Sequence, residues 1–203
     1  MKKAHRKVLV FSTLLGVLSL TSALLMALAP APIAPDAASS LFAVDAPTSF
    51  DPVFETRQPL RADHWKYIFI HHSHTATGNA VSLGQGMMGG VGDHFVIGNG
   101  DGAEDGEVQI SQRWVEQAAA LPPAGANKID GACISICLVG DFDAKIPTQT
   151  QLGRLNQLVA ALQSRLHIDA DNILLIDQPN TGAGAAGIGR YFPKSAFRAK
   201  LLP

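Results

Sequence analysis

Only two cysteines occur among the 203 residues, the formal net charge is −1, and charged side chains make up just 16%. So few cysteines exclude a disulfide scaffold. The near-neutral balance argues against a nucleic-acid module, which needs basic side chains to neutralise phosphates. With 47% of residues hydrophobic, a disordered regulator is excluded as well, because that much apolar side chain must be buried. The length fits one domain with a tail.

The charge present is unevenly placed. Lys2, Lys3, Arg6 and Lys7 precede every acid in the chain, the first of which is Asp36. With those four set aside, 12 of the 16 basic residues remain against 17 acids, which leaves the body at −5. Val8 to Ala29 then runs for 22 residues without a charge. As a helix rising about 1.5 Å per residue it would span roughly 33 Å, enough for a bilayer core. A signal-peptide core is usually about 7–15 residues, so this run is long for one. Ala27-Leu28-Ala29 has the small-x-small form of a cleavage site, but Pro30 follows directly. Residues 1–29 therefore read as an uncleaved signal anchor, with a cleaved signal peptide as the alternative. Either exports the body and leaves the lysines inside. The implied location is the bacterial cell envelope: inner-membrane-anchored and facing the periplasm, or secreted after cleavage. Pro30, Pro32, Pro35, Pro47 and Pro52 mark residues 30–55 as a semi-extended spacer, and the folded domain is expected over 56–203, from near Arg57.

Within the body, Tyr67-Ile68-Phe69-Ile70 is a β-branched and aromatic run that predicts a buried strand leading into His71-His72-Ser73-His74. His94 to Ile97, Glu107 to Ile110 and Cys133 to Val139 predict three more, and Ile173 to Ile176 a last central one. Asn99-Gly100-Asp101-Gly102 reads as a solvated turn rather than a calcium loop, whose ligand order it lacks. Thr148 with Gln151 fits a capping box, and Leu152, Leu155, Leu158, Val159, Leu162 and Leu166 share one helical face. A short helix is expected after Tyr191-Phe192-Pro193. The fold class is α/β, a central mixed sheet flanked by helices, preceded by the N-terminal membrane helix. Cys133 and Cys137 lie about 13 Å apart along a strand, too far for a disulfide, and read as small core residues.

Four ordered segments carry a resemblance. They are Ile68-Phe69-Ile70-His71-His72 with Thr75-Ala76-Thr77; Gly92-Asp93-His94-Phe95-Val96-Ile97-Gly98; Ile134 to Phe142 with Pro147-Thr148; and Gly189-Arg190-Tyr191-Phe192-Pro193. Together they resemble the zinc-dependent N-acetylmuramoyl-L-alanine amidases, including the phage-lysozyme-type amidases and the peptidoglycan recognition proteins. The resemblance implies a groove for peptidoglycan or muropeptide. It also implies one zinc held by two histidines and a cysteine or aspartate, which activates water against the muramoyl–L-alanine amide.

Residue by residue, the implied site is incomplete. His71 stands at the first ligand. The second, a histidine in the family, falls at Ile176 or Asp177, and Asp177 is the candidate metal ligand there. Gly187 occupies the cysteine position and Ala185 that of the assisting lysine or threonine. Asp93 stands at the family tyrosine and is the catalytic candidate. Ala118-Ala119-Ala120-Leu121 replaces the Gly-Ala-His that often occurs. His72 and His74 face away from His71 on an extended chain, so a three-histidine site needs a bend. Candidate binding residues are His71, His94 and Asn99. The leading expectation is an exported, membrane-tethered domain that binds wall fragments without hydrolysis and needs no cofactor. The alternatives are an active zinc amidase using His71, Asp177 and His94 or Asp93, and a structural protein whose groove is filled by Met87, Met88 or Leu121. The partners are peptidoglycan and, through the N-terminal helix, the membrane; no nucleic acid is expected.

Overall fold

The computed structural model describes residues 49–121, 131–175 and 187–203. The N-terminal segment 1–48, with the expected membrane helix, lies outside them, as do Asp177 and Ala185. Among the described residues no helix is long and apolar enough to cross a membrane.

Five strands form one sheet: β1 Tyr67–His72, β2 Phe95–Ile97, β3 Val108–Ile110, β4 Cys133–Leu138 and β5 Ile173–Leu175. Their spatial order is β3-β2-β4-β1-β5, parallel except for the β2–β3 pair. The mixed sheet and its flanking helices are the expected class. The position of β5 is not. The apolar run suggests a central strand, yet among the described residues it pairs with β1 alone and stands at the end of the strand order. Its burial follows: Ile173 is in the core, while Leu174 and Leu175 are half-buried.

The strands read as continuous apolar runs because both faces are covered. On one face Ile68 and Ile70 of β1, Ile134, Ile136 and Leu138 of β4, and Phe95 and Ile97 of β2 enter the main core. Among the described residues four α-helices accompany the sheet: α1 Ala80–Leu83, α2 Gln112–Val115, α3 Gln149–Leu166 and α4 Lys194–Arg198. Leu155, Leu158, Val159, Leu162 and Leu166 of α3 pack into that core, as their spacing requires. Thr148 caps α3 by accepting the Gln151 N–H at 2.9 Å. The reciprocal half of the expected box is redirected. The Gln151 side chain is buried and its Nε2 donates to Ile97 O at 3.0 Å and Val139 O at 2.9 Å, tying the helix start to the ends of β2 and β4.

The folded body also begins before Arg57. Val53 is only 1% exposed, and its carbonyl accepts the indole N–H of the buried Trp114. Phe50 and Phe54 lie beneath the guanidinium groups of Arg154 and Arg165, at 5.0 and 5.5 Å. Pro52 starts a 3-10 turn here rather than extending a spacer.

Candidate functional site

The opposite face of the sheet carries polar side chains at the positions that alternate with the core residues. His71 is paired in register with Cys137 across β1 and β4, so both project to this side, as does Ser135 two residues earlier. Asp93, just before β2, completes the group. His71 Nε2 donates to Asp93 Oδ1 at 2.7 Å, and the Ser135 hydroxyl donates to the same oxygen. His71 Nδ1 faces the His72 carbonyl at 3.1 Å. Exposure is 7% for His71, 8% for Asp93 and 2% for Cys137.

These contacts fix the charge states. Burial opposes a charged His71, but the Asp93 carboxylate and the two hydrogen bonds outweigh it, and the pKa is raised. Burial likewise opposes an ionised Asp93, and the His71 charge with the His71 and Ser135 hydrogen bonds outweighs it, so that pKa is lowered. Burial, with Asp93 adding to it, pushes the Cys137 thiol well up. The result is a His71–Asp93 pair held towards its charged form beside a thiol held towards its neutral one.

Imidazole, carboxylate and thiol lie within 4.8 Å of one another, a zinc donor set by element. They do not fit zinc as arranged. Both nitrogens of His71 face oxygen acceptors, so a metal would have to displace one of those contacts. Its Nε2 is 2.7 Å from Asp93 Oδ1, whereas two ligands of a tetrahedral zinc lie about 3.3 Å apart. The second implied ligand position lies outside the described residues; at the third, Gly187, which offers no side chain, accepts the His72 N–H at 3.2 Å through its carbonyl, beside the end of β1.

Two other candidates are occupied elsewhere. His94 was expected in the groove, but it is fully buried between Trp65 and Trp114, edge to face with each. Its Nε2 donates to Ala118 O at 2.8 Å and its Nδ1 accepts the Ser135 N–H at 3.0 Å. Burial above all holds its pKa down to about 4, so it is neutral and structural, with neither nitrogen left for ligand or metal. Asn99 was expected to bind ligand; its amide donates to Ala76 O at 2.9 Å and its carbonyl accepts the Asp101 N–H at 3.1 Å. It holds the turn against the loop after β1. Met87, Met88 and Leu121 are exposed, Met88 at 95%.

The sequence reading missed Ser135 and the placement of Cys137. The available signal was alternation: once β1 and β4 pair in parallel, residues 135 and 137 share the His71 face. His72 and His74 do turn away from His71, and their rings meet with centroids 3.7 Å apart.

A family model described as N-acetylmuramoyl-L-alanine amidase matches residues 61–184. No curated protein matches the chain. Among solved structures, the chain is similar to the N-acetylmuramoyl-L-alanine amidase LysC from Clostridium intestinale, at 19% identity and a TM-score of 0.47, over 70% of this chain and 89% of that one. It is also similar to human PGRP-Iβ C, solved with a glycosamyl muramyl pentapeptide, at 17% identity and a TM-score of 0.45, over 68% and 88%. The amidase AmiD from E. coli, solved with an anhydro-N-acetylmuramic acid peptide, is 19% identical with a TM-score of 0.36, over 58% and 51%.

Proposed function

Because the chain belongs to the N-acetylmuramoyl-L-alanine amidase family, we propose that its domain binds peptidoglycan or a muropeptide and does not hydrolyse it. The family supports the partner. The observation that carries the loss of hydrolysis is the closed His71–Asp93 pair, whose Nε2–Oδ1 contact of 2.7 Å occupies the imidazole that the family uses for zinc. Gly187 in place of a cysteine supports the same conclusion. The basic start and the uncharged run from Val8 to Ala29 support export and tethering at the inner membrane, with the domain facing the periplasm.

One observation favours the hydrolytic alternative, the nearness of three donor types around His71. A single experiment separates the two. The full chain, purified in detergent, is sedimented with insoluble peptidoglycan, and newly freed L-alanine amino groups are measured with and without added zinc. Co-sedimentation with no amine release above the blank is expected. Zinc-dependent release that disappears in His71→Ala overturns the non-hydrolytic conclusion, and a folded chain left in the supernatant overturns binding.

A further inference from the structure

The residue after His71 belongs to a different constellation, on the other face of the sheet. His72 ends β1 with its ring stacked on Phe142, centroids 5.3 Å apart and planes at 15°, and it is 1% exposed. Its Nδ1 lies 3.1 Å from Gly140 O and 3.0 Å from Phe142 N. Its Nε2 is buried and makes no hydrogen bond; Asp143 Oδ2 is 3.9 Å away. A buried nitrogen aimed at a carboxylate beyond hydrogen-bond distance is a group built for something placed between them.

Three half-buried side chains surround that gap. His74 sits in the left-handed region at φ 57°, uncommon for a residue with a Cβ, and this bend returns its ring onto that of His72. Asp141 and Asp143 lie on the loop that follows β4. Each is oriented through Oδ1 by a backbone N–H: Asp141 by that of Asp143 at 3.0 Å, and Asp143 by that of Arg190 at 3.1 Å. One donor atom from each of the four residues lies within 4.8 Å of the others.

We propose that His72, His74, Asp141 and Asp143 form a binding site for a divalent transition-metal ion, of which zinc is the probe. Two imidazoles and two carboxylates are a donor set that zinc accepts in tetrahedral geometry. His72 Nδ1 meets both the Gly140 carbonyl and the Phe142 N–H; the metal-binding tautomer is the one in which Nδ1–H donates to Gly140 O, as backbone carbonyls orient ligating histidines, and Nε2 then carries the lone pair. A bound ion would tie the end of β1 to the loop after β4 and, through Asp143, to the segment around Arg190. This site stands whether or not the domain binds wall fragments.

The full chain, stripped with a chelator, is titrated with Zn2+ against a chromophoric competitor, and with Co2+ for the visible spectrum of a tetrahedral site. One zinc per folded wild-type chain is expected. Asp141→Asn should weaken binding by about 100-fold. His74→Gly should do the same without disturbing the fold, because glycine suits the left-handed backbone there. His71→Ala should keep full zinc affinity. A folded wild type that takes up no zinc overturns the proposal. So does zinc that survives both His74→Gly and Asp141→Asn, or that leaves with His71→Ala.

Discussion

Consecutive residues of one strand end in opposite chemical situations. His71 and His72 differ by one position, so the pleat sends them to opposite faces of the sheet. On its face, His71 meets a carboxylate at hydrogen-bond distance that holds its pKa up; its nitrogens and the nearer oxygen of Asp93 all have partners. On the other face, His72 meets carboxylates set back from its Nε2, which is left without a hydrogen bond, and burial with the neighbouring His74 lowers its pKa. Donor types alone would call both clusters metal sites. What separates them is whether the ligand atoms already satisfy one another. On the proposed reading, internal pairing withdraws His71 from metal binding just as the glycine at 187 withdraws a ligand side chain.

Removing the counter-charge of His71 should have the largest effect. Asp93→Ala leaves His71 buried without its partner, and loss of one member of a buried pair costs about 3–5 kcal/mol. Urea unfolding at neutral pH should show that loss as a lower midpoint at unchanged slope. An Asp93→Ala chain of wild-type stability would mean that the pair is not the closed unit described. The same variant frees His71 Nε2, and zinc uptake gained there would locate the obstruction in Asp93.

Next in size is acid sensitivity. His94 has a folded pKa of about 4 against an ordinary 6.5, so its neutral form is what folding favours. Its contribution is fully present above 6.5 and is lost as the pH falls from 6.5 towards 4, about 3 kcal/mol in all. Asp93, with its pKa lowered, adds a loss at still lower pH, as the carboxylate protonates. His71 has the opposite sign: with its pKa raised, its contribution is complete below 6.5 and declines as the pH rises through the folded value. Denaturation midpoints across pH 4 to 9 should therefore fall on both sides, more steeply on the acid side. A flat acid limb would contradict the sealed position of His94 between the two tryptophans.

The sequence made the elements legible and their lateral order opaque. Each of the five strands coincides with an apolar run, and α3 with its leucine stripe and threonine cap, because those patterns report which side chains need burial. Whether Ile173–Leu175 is central or at an edge depends on which strands flank it, and an apolar run carries no such information. The four-residue helix α2 is shorter than any helical period can reveal. The fold's start at Val53 was hidden behind prolines that read as spacer. At the site, His71 was visible from its motif, whereas its bond to Asp93, 22 residues away, exists only because β4 lies between β1 and β2. Cys137 is a buried core residue, as its apolar run indicated, and the register additionally brings it and Ser135 beside His71.

The smallest expected effect tests the same closure from its third member. Ser135 is fully buried, its hydroxyl donates to Asp93 Oδ1, and its backbone N–H donates to His94 Nδ1 at 3.0 Å. Ser135→Ala removes only the first of these bonds. Asp93 keeps His71, so the carboxylate stays paired, and the cost should be about 1–2 kcal/mol, less than that of Asp93→Ala. With one donor lost, the Asp93 pKa should move back up, so the carboxylate's share of the stability loss, at the low-pH end of the acid limb, should shrink. If Ser135→Ala costs as much as Asp93→Ala, the two act as one inseparable network, and His71 is held by the hydroxyl as much as by the charge. If it costs nothing, the His71–Asp93 pair alone closes the family's metal position.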